Sequence, residues 1–152
     1  MGETQGVQFT RRALLSAAVA GSAGLLAPGS ADADDDELAL IERLIGGVAT
    51  PSDRVRLTMP SVFPNGYTVP LAFQIEAAMT ETDHVRKVIV LAPQNPIVEV
   101  AAFHFVVQRS EPRISTRIRL AKPQNVFAVA QMNDGALLMA KTWVEVATNG
   151  CS

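Results

Sequence analysis

Cys151 is the only cysteine in this sequence, so its thiol has no internal partner and is either free and reactive or joined to another molecule. Beside it, Asn149 and Gly150 put little bulk around the sulfur and accept backbone conformations that other residues avoid, which suits them to act as a hinge. If the last strand ends near Ala147, the residues up to Cys151 span roughly 13–17 Å when extended. That is enough for the thiol to enter a channel in another protein. A single Ser152 follows, and a terminal carboxylate is expected close to the sulfur, where a negative charge would disfavour the thiolate. The plainer expectation is a frayed terminus whose cysteine is incidental.

Other chemistries find little support. His84 and His104 are the only histidines, and with one distant cysteine they give no metal-ligand spacing. A catalytic Cys–His pair needs a rigidly held nucleophile, whereas Cys151 sits one residue from the end of the sequence. Met59, Met79, Met132 and Met139 read as core fillers, not a copper site. Arg117 and Arg119 share a strand face that is either solvated or open to an anion. Gly46-Gly47 lacks the preceding strand and closing lysine of a phosphate loop, and no dinucleotide fingerprint or nucleophile elbow is present. No cofactor and no enzymatic activity of the chain's own are expected. With 13 Lys+Arg against 15 Asp+Glu and no basic run, a nucleic-acid partner is not expected either.

The elements that must deliver Cys151 begin with an address. Arg11-Arg12 open a modest apolar stretch, Ala13 to Leu26, followed by a small-x-small site at Ala31 and Ala33. This is the order of a twin-arginine export signal over residues 1–33, with release into the periplasm and no membrane attachment after cleavage. The stretch is too short and too rich in Ala and Gly for a spanning helix.

From residue 34 a domain is expected to run to 147, leaving 148–152 as a flexible arm. Asp34-Asp35-Asp36-Glu37 favour the positive end of a helix dipole. Leu38, Ile41, Leu44 and Ile45 then recur at helical spacing until Gly46-Gly47 stops the helix. Beyond Arg54 the pattern changes to seven short runs rich in β-branched and aromatic residues: 54–59, 69–77, 85–92, 100–107, 114–121, 126–132 and 136–146. Seven such runs with no helical spacers predict an all-β, immunoglobulin-like antiparallel sandwich, without the Cys-Trp-Cys signature of antibody domains. Asn133-Asp134-Gly135 lies between two alternating runs, as a hairpin requires. The run 100–107 is apolar on both sides. Phe103, Phe105 and Val107 would face the core, and Ala102, His104 and Val106 would need a second cover: an internal position in the sandwich, the N-terminal helix, or a partner chain. Trp143 is expected in the core or in an interface.

In combination, Asn65-Gly66-Tyr67-Thr68-Val69-Pro70, Met79-Thr80-Glu81-Thr82-Asp83, Asn95-Pro96 with Phe103-His104, Ser115 through Lys122, and Ala130 through Gly135 resemble SoxY. This family is the sulfur-carrier subunit of the thiosulfate-oxidising Sox system. The resemblance implies a heterodimer with a small β-subunit, SoxZ. It also implies a swinging cysteine that carries sulfur intermediates between partner enzymes: the haem-containing SoxAX, which forms a thiosulfate adduct, then SoxB and SoxCD. The family's carrier cysteine sits in a Gly-Gly-Cys-Gly-Gly tail. Gly150 and Cys151 match it, while Asn149 and Ser152 depart from it. A different reading of the same tail is a structural or binding subunit of another exported redox complex, in which Cys151 only forms an intermolecular disulfide.

Overall fold

The computed structural model describes residues 31–147. Helix α1 (Ala31–Ile45) precedes nine strands: β1 (Thr50–Pro51), β2 (Val55–Thr58), β3 (Val62–Phe63), β4 (Val69–Ile75), β5 (Val85–Leu91), β6 (Glu99–His104), β7 (Arg113–Ile118), β8 (Gln124–Met132) and β9 (Leu137–Val146). They form two layers. The larger sheet has the order β1-β9-β8-β5-β6, with β3 also on β9, and the smaller has the order β2-β4-β7. The long pairings are all antiparallel, while β1 and β3 add two-residue parallel pieces along β9. The immunoglobulin-like sandwich and its seven main strands are those expected from the sequence, with bounds shifted by a few residues.

Alternation explains the core. On β4, Val69, Leu71, Phe73 and Ile75 point inward while Pro70 and Gln74 are exposed, and Ile118 on β7 faces them. From the larger sheet come Val88, Val90, Val126, Ala128, Ala130, Val144 and Val146. Phe103 and Phe105 pack edge-on against Phe73, with ring centroids 5.4 and 6.5 Å apart. Each buried side chain of this size contributes about 1.5–3 kcal/mol by leaving water.

The strands that need two covers are β5 and β8. Leu91, Phe127 and Val129 on their outer faces form a second cluster with Met139 and Ile41, to which Leu38 and Ile45 of α1 are added. The helix therefore lies across β9, β8 and β5 and does not reach β6. This corrects one expectation. The run 100–107 is neither internal nor under the helix, since β6 is the edge strand and its outward Ala102 and His104 are exposed. Leu44 is also exposed. At about 100° per residue, Leu38 and Ile45 fall on one side of Ile41 and Leu44 on the other, so the sheet takes only one flank of the stripe. Trp143, placed on the outer face of β9, is half exposed and not part of the core.

Two glycines have positions that other residues could not take without strain. Gly46, at φ 75°, ends the helix, and Gly135, at φ 89°, closes the β8–β9 hairpin, where its N–H donates to the Met132 carbonyl at 3.1 Å.

Candidate functional site: the end of the sandwich that leads to Cys151

Strand β9 carries the chain to one end of the sandwich, and that end is firmly built. Val146 is buried in the core and pairs with Phe63, and the Ala147 N–H donates to the Phe63 carbonyl at 3.3 Å. The exit point of the chain is therefore fixed by the short strand β3, which periodicity could not have shown at two residues long.

Next to the exit lies Gly66. Its carbonyl accepts the Leu120 N–H at 2.8 Å, and the position its Cβ would take is 3.8 Å from Val146 Cγ2. The following residue, Tyr67, carries the Arg119 guanidinium over its ring at 4.9 Å, a cation–π contact at an exposed site. A polar staple then ties the β5–β6 loop to the β7–β8 loop. Asn95 Nδ2 donates to the Arg119 carbonyl at 2.8 Å, and its Oδ1 accepts the Ala121 N–H at 2.8 Å and Gln124 Nε2 at 3.0 Å. The fully buried Gln124 also accepts the Gln94 N–H at 2.8 Å through Oε1 and donates to the Lys122 carbonyl at 3.1 Å. An open groove of about 360 Å³ runs between this loop and Arg119, lined by Pro96, Ile97 and Val100.

Sequence reasoning missed Gln124 and the Tyr67–Arg119 stack. Asn95, Tyr67 and Arg119 all stand in the stretches that carry the family resemblance, but their partners are distant in sequence. Only the fold brings them together.

The Met79–Asp83 stretch lies at the opposite end. Asp83 Oδ1 accepts Arg54 Nη2 at 2.8 Å and its Oδ2 accepts the Ala78 N–H at 3.1 Å. The Ala78 amide first, and then Arg54, hold the Asp83 carboxyl below its ordinary value of 3.8. His84 Nδ1 meets the Thr80 carbonyl at 2.8 Å, and Asn133 ties the stretch to the β8–β9 hairpin through the Thr82 carbonyl and the His84 N–H. This is a clasp between β2, β5 and the hairpin.

The expected site residues divide as follows. Cys151, Asn149, Gly150, Arg11 and Arg12, and with them the export signal and the arm, lie outside the described residues. Ala31 and Ala33 belong to the first turn of α1, which starts upstream of the expected domain boundary. Ala102 and His104 share the exposed face of β6, and Val106 follows just beyond the strand with 58% of its surface exposed. His84 stands immediately before β5, and His104 pairs with Lys87, which pairs with Gln131 opposite Leu137 at the start of β9. Both histidines are therefore nearly a β9 length from Ala147, about 30 Å at 3.3 Å per residue. Four residues cannot carry a thiol that far. Among the described residues, no three His, Cys, Asp or Glu side chains gather as metal ligands, and no helix is long and apolar enough to cross a membrane.

The fold is a small immunoglobulin-like sandwich, and in sequence the single cysteine stands four residues after Ala147. The family model described as "Sulfur oxidation protein SoxY" matches residues 41–151, and the chain belongs to that family. Among solved structures, the sulfur carrier protein SoxY from Chlorobium limicola f thiosulfatophilum is similar at 28% identity with a TM-score of 0.58, over 78% of this chain and 99% of that one. A superoxide reductase (neelaredoxin) from Ignicoccus hospitalis is similar at 14% identity with a TM-score of 0.54, over 60% of this chain and 79% of that one, a likeness of fold alone. No curated protein is a significant match.

Proposed function

We propose that this protein is a covalent carrier of sulfur intermediates in thiosulfate oxidation, with Cys151 as the attachment site and Asn149 and Gly150 as its hinge. The observation that carries this reading is that the family match runs to residue 151 and so takes in the cysteine. It is supported by the fixed exit at Ala147 and by the similarity to a structure described as a sulfur carrier. The chain itself contributes no catalysis. In the loading step Cys151 loses its thiol proton, a bond forms between Sγ and the outer sulfur of thiosulfate, and the two electrons released pass to a haem enzyme of the SoxAX type. Enzymes of the SoxB and SoxCD types would then act on the bound sulfur.

The same reading includes export to the periplasm through Arg11 and Arg12, with cleavage after Ala33. It also includes a heterodimer with a SoxZ-like subunit on the exposed face formed by Ala102, His104 and Val106. The experiment is transfer in vitro: the mature protein is incubated with thiosulfate and the oxidised haem enzyme, then run on reducing and non-reducing gels and weighed intact. A carrier gains one thiosulfonate group that reductant removes, and Cys151→Ala gains none. A crosslink present with or without thiosulfate would instead support the disulfide-bonded structural subunit.

A further inference from the structure

The short connection between the sandwich and its thiol constrains what can react with it. Four residues lead from Ala147 to Cys151, roughly 13–17 Å when extended. A protein that acts on Cys151 must bring its reactive group within that distance of Ala147. A domain of 100 residues has a radius of gyration of about 13 Å, so its surface is forced against this end of the sandwich.

What it meets there includes a group of exposed apolar side chains. Val62 is 68% exposed and pairs with Glu145, and Trp143, 52% exposed, stands two residues earlier on the same outer face of β9. On the other side of the exit is Tyr67, 56% exposed beneath Arg119, and across the groove is Ile97, 74% exposed. Of the seven large apolar side chains exposed among the described residues, these four gather at one end. Scattered apolar residues are ordinary on a monomer, whereas a cluster around a chain exit marks a contact surface. Arg119 forms no ion pair among the described residues, although Glu99 lines the same groove, so its guanidinium stays open to a carboxylate from outside.

We propose that Val62, Tyr67, Ile97 and Trp143 form a docking ring around the exit of the Cys151 arm. Its occupant is the haem enzyme that oxidatively joins thiosulfate to Cys151, seated through an apolar rim with a carboxylate opposite Arg119. The ring rests on the carrier reading, and it adds the surface by which the enzyme finds the thiol. Aromatic anchors and an arginine at the centre of a contact are the groups that carry most of the energy in protein–protein association.

The test uses the full mature chain co-expressed with its small β-subunit, and follows the rate at which the haem enzyme loads thiosulfate onto Cys151 by intact mass. Val62→Asp and Trp143→Asp change exposed positions and leave the core untouched. Val48→Asp, also at an exposed apolar position but beside the opposite end of β9, is the control. Labelling with a small maleimide reads the access of the thiol itself. Loading falls about tenfold or more in the two ring variants, as expected for loss of one anchor, while Val48→Asp and the maleimide rates stay at wild-type values. Equal loading of wild type and both ring variants overturns the ring and leaves the carrier reading standing. A wild type that is never loaded overturns both. Loss of the small subunit from the ring variants on size exclusion assigns the surface to that subunit and overturns the ring as well.

Discussion

Leu120 donates its backbone N–H to the Gly66 carbonyl at 2.8 Å, and a methyl group on Gly66 would collide with the Leu120 carbonyl oxygen. This contact joins the β3–β4 loop to the end of β7 beside the point where the chain leaves for Cys151. Gly66→Ala must push the two backbones apart and break the bond between them. A loss of about 2–4 kcal/mol in stability is expected, at the upper end of single-substitution effects. Chemical denaturation reads it, and an unchanged midpoint would contradict the contact.

The Asn95 staple should behave as a unit. Asn95→Ala leaves the Ala121 N–H without its acceptor and removes one partner of the buried Gln124 amide. The buried Gln124 amide group left short of a partner costs about 1–3 kcal/mol, whereas the Ala121 N–H lies at an exposed residue and can turn to water. The Asn95→Ala and Gln124→Met losses should be strongly non-additive in a double-mutant cycle, because the second change removes the group that the first leaves unpaired. Additive losses would show two independent sites.

Asp83 makes stability depend on pH in one direction. Its carboxyl is held below 3.8 in the folded chain by the Ala78 amide and Arg54, so the folded state binds its proton less readily than the unfolded state. The stabilisation is present above that value and is lost as pH falls through the lower folded value. Asp83→Asn is therefore less stable than wild type at pH 7, and the difference shrinks below pH 3.8. The effect is modest because both Asp83 and Arg54 are 42% exposed at their side chains. Thermal melts across pH give the curve, and a constant difference down to acid would exclude this role.

On the proposed partner face, Val106→Asp places a charge beside Ala102 and His104 at a position already open to water. The chain should fold normally, lose about 2–4 kcal/mol of association with the SoxZ-like subunit, and keep its thiol reactive. Co-elution by size exclusion, read beside thiol labelling, decides this. Full co-elution of the variant places the interface elsewhere.

Much of this architecture was legible in the residue pattern, and what was not has physical reasons. Alternation along Val69–Ile75 and Arg113–Ile118 fixed which side chains face the core, and Asn133-Asp134-Gly135 marked the hairpin between β8 and β9. Strands β1 and β3 have two residues each, too few for any period, yet β3 sets the exit of the chain. The signal of a doubly covered strand was present in Val88–Leu91 and Val126–Ala130, but an equally apolar run at Phe103–Val107 drew the expectation there. Strand order decides between them, and strand order depends on long-range pairing. The staple was hidden for the same reason: Asn95 and Gln124 are 29 residues apart and meet only across the end of the sandwich.

The central claim is that Cys151 bears sulfur during turnover. The most direct measurement is the intact and peptide mass of this protein isolated, without reductant, from cells actively oxidising thiosulfate. The expected result is a fraction of chains with a thiosulfonate or shorter sulfur adduct confined to the peptide holding Cys151, absent after reduction and absent from Cys151→Ala cells. Cys151 found unmodified in every chain from such cells would contradict the carrier role.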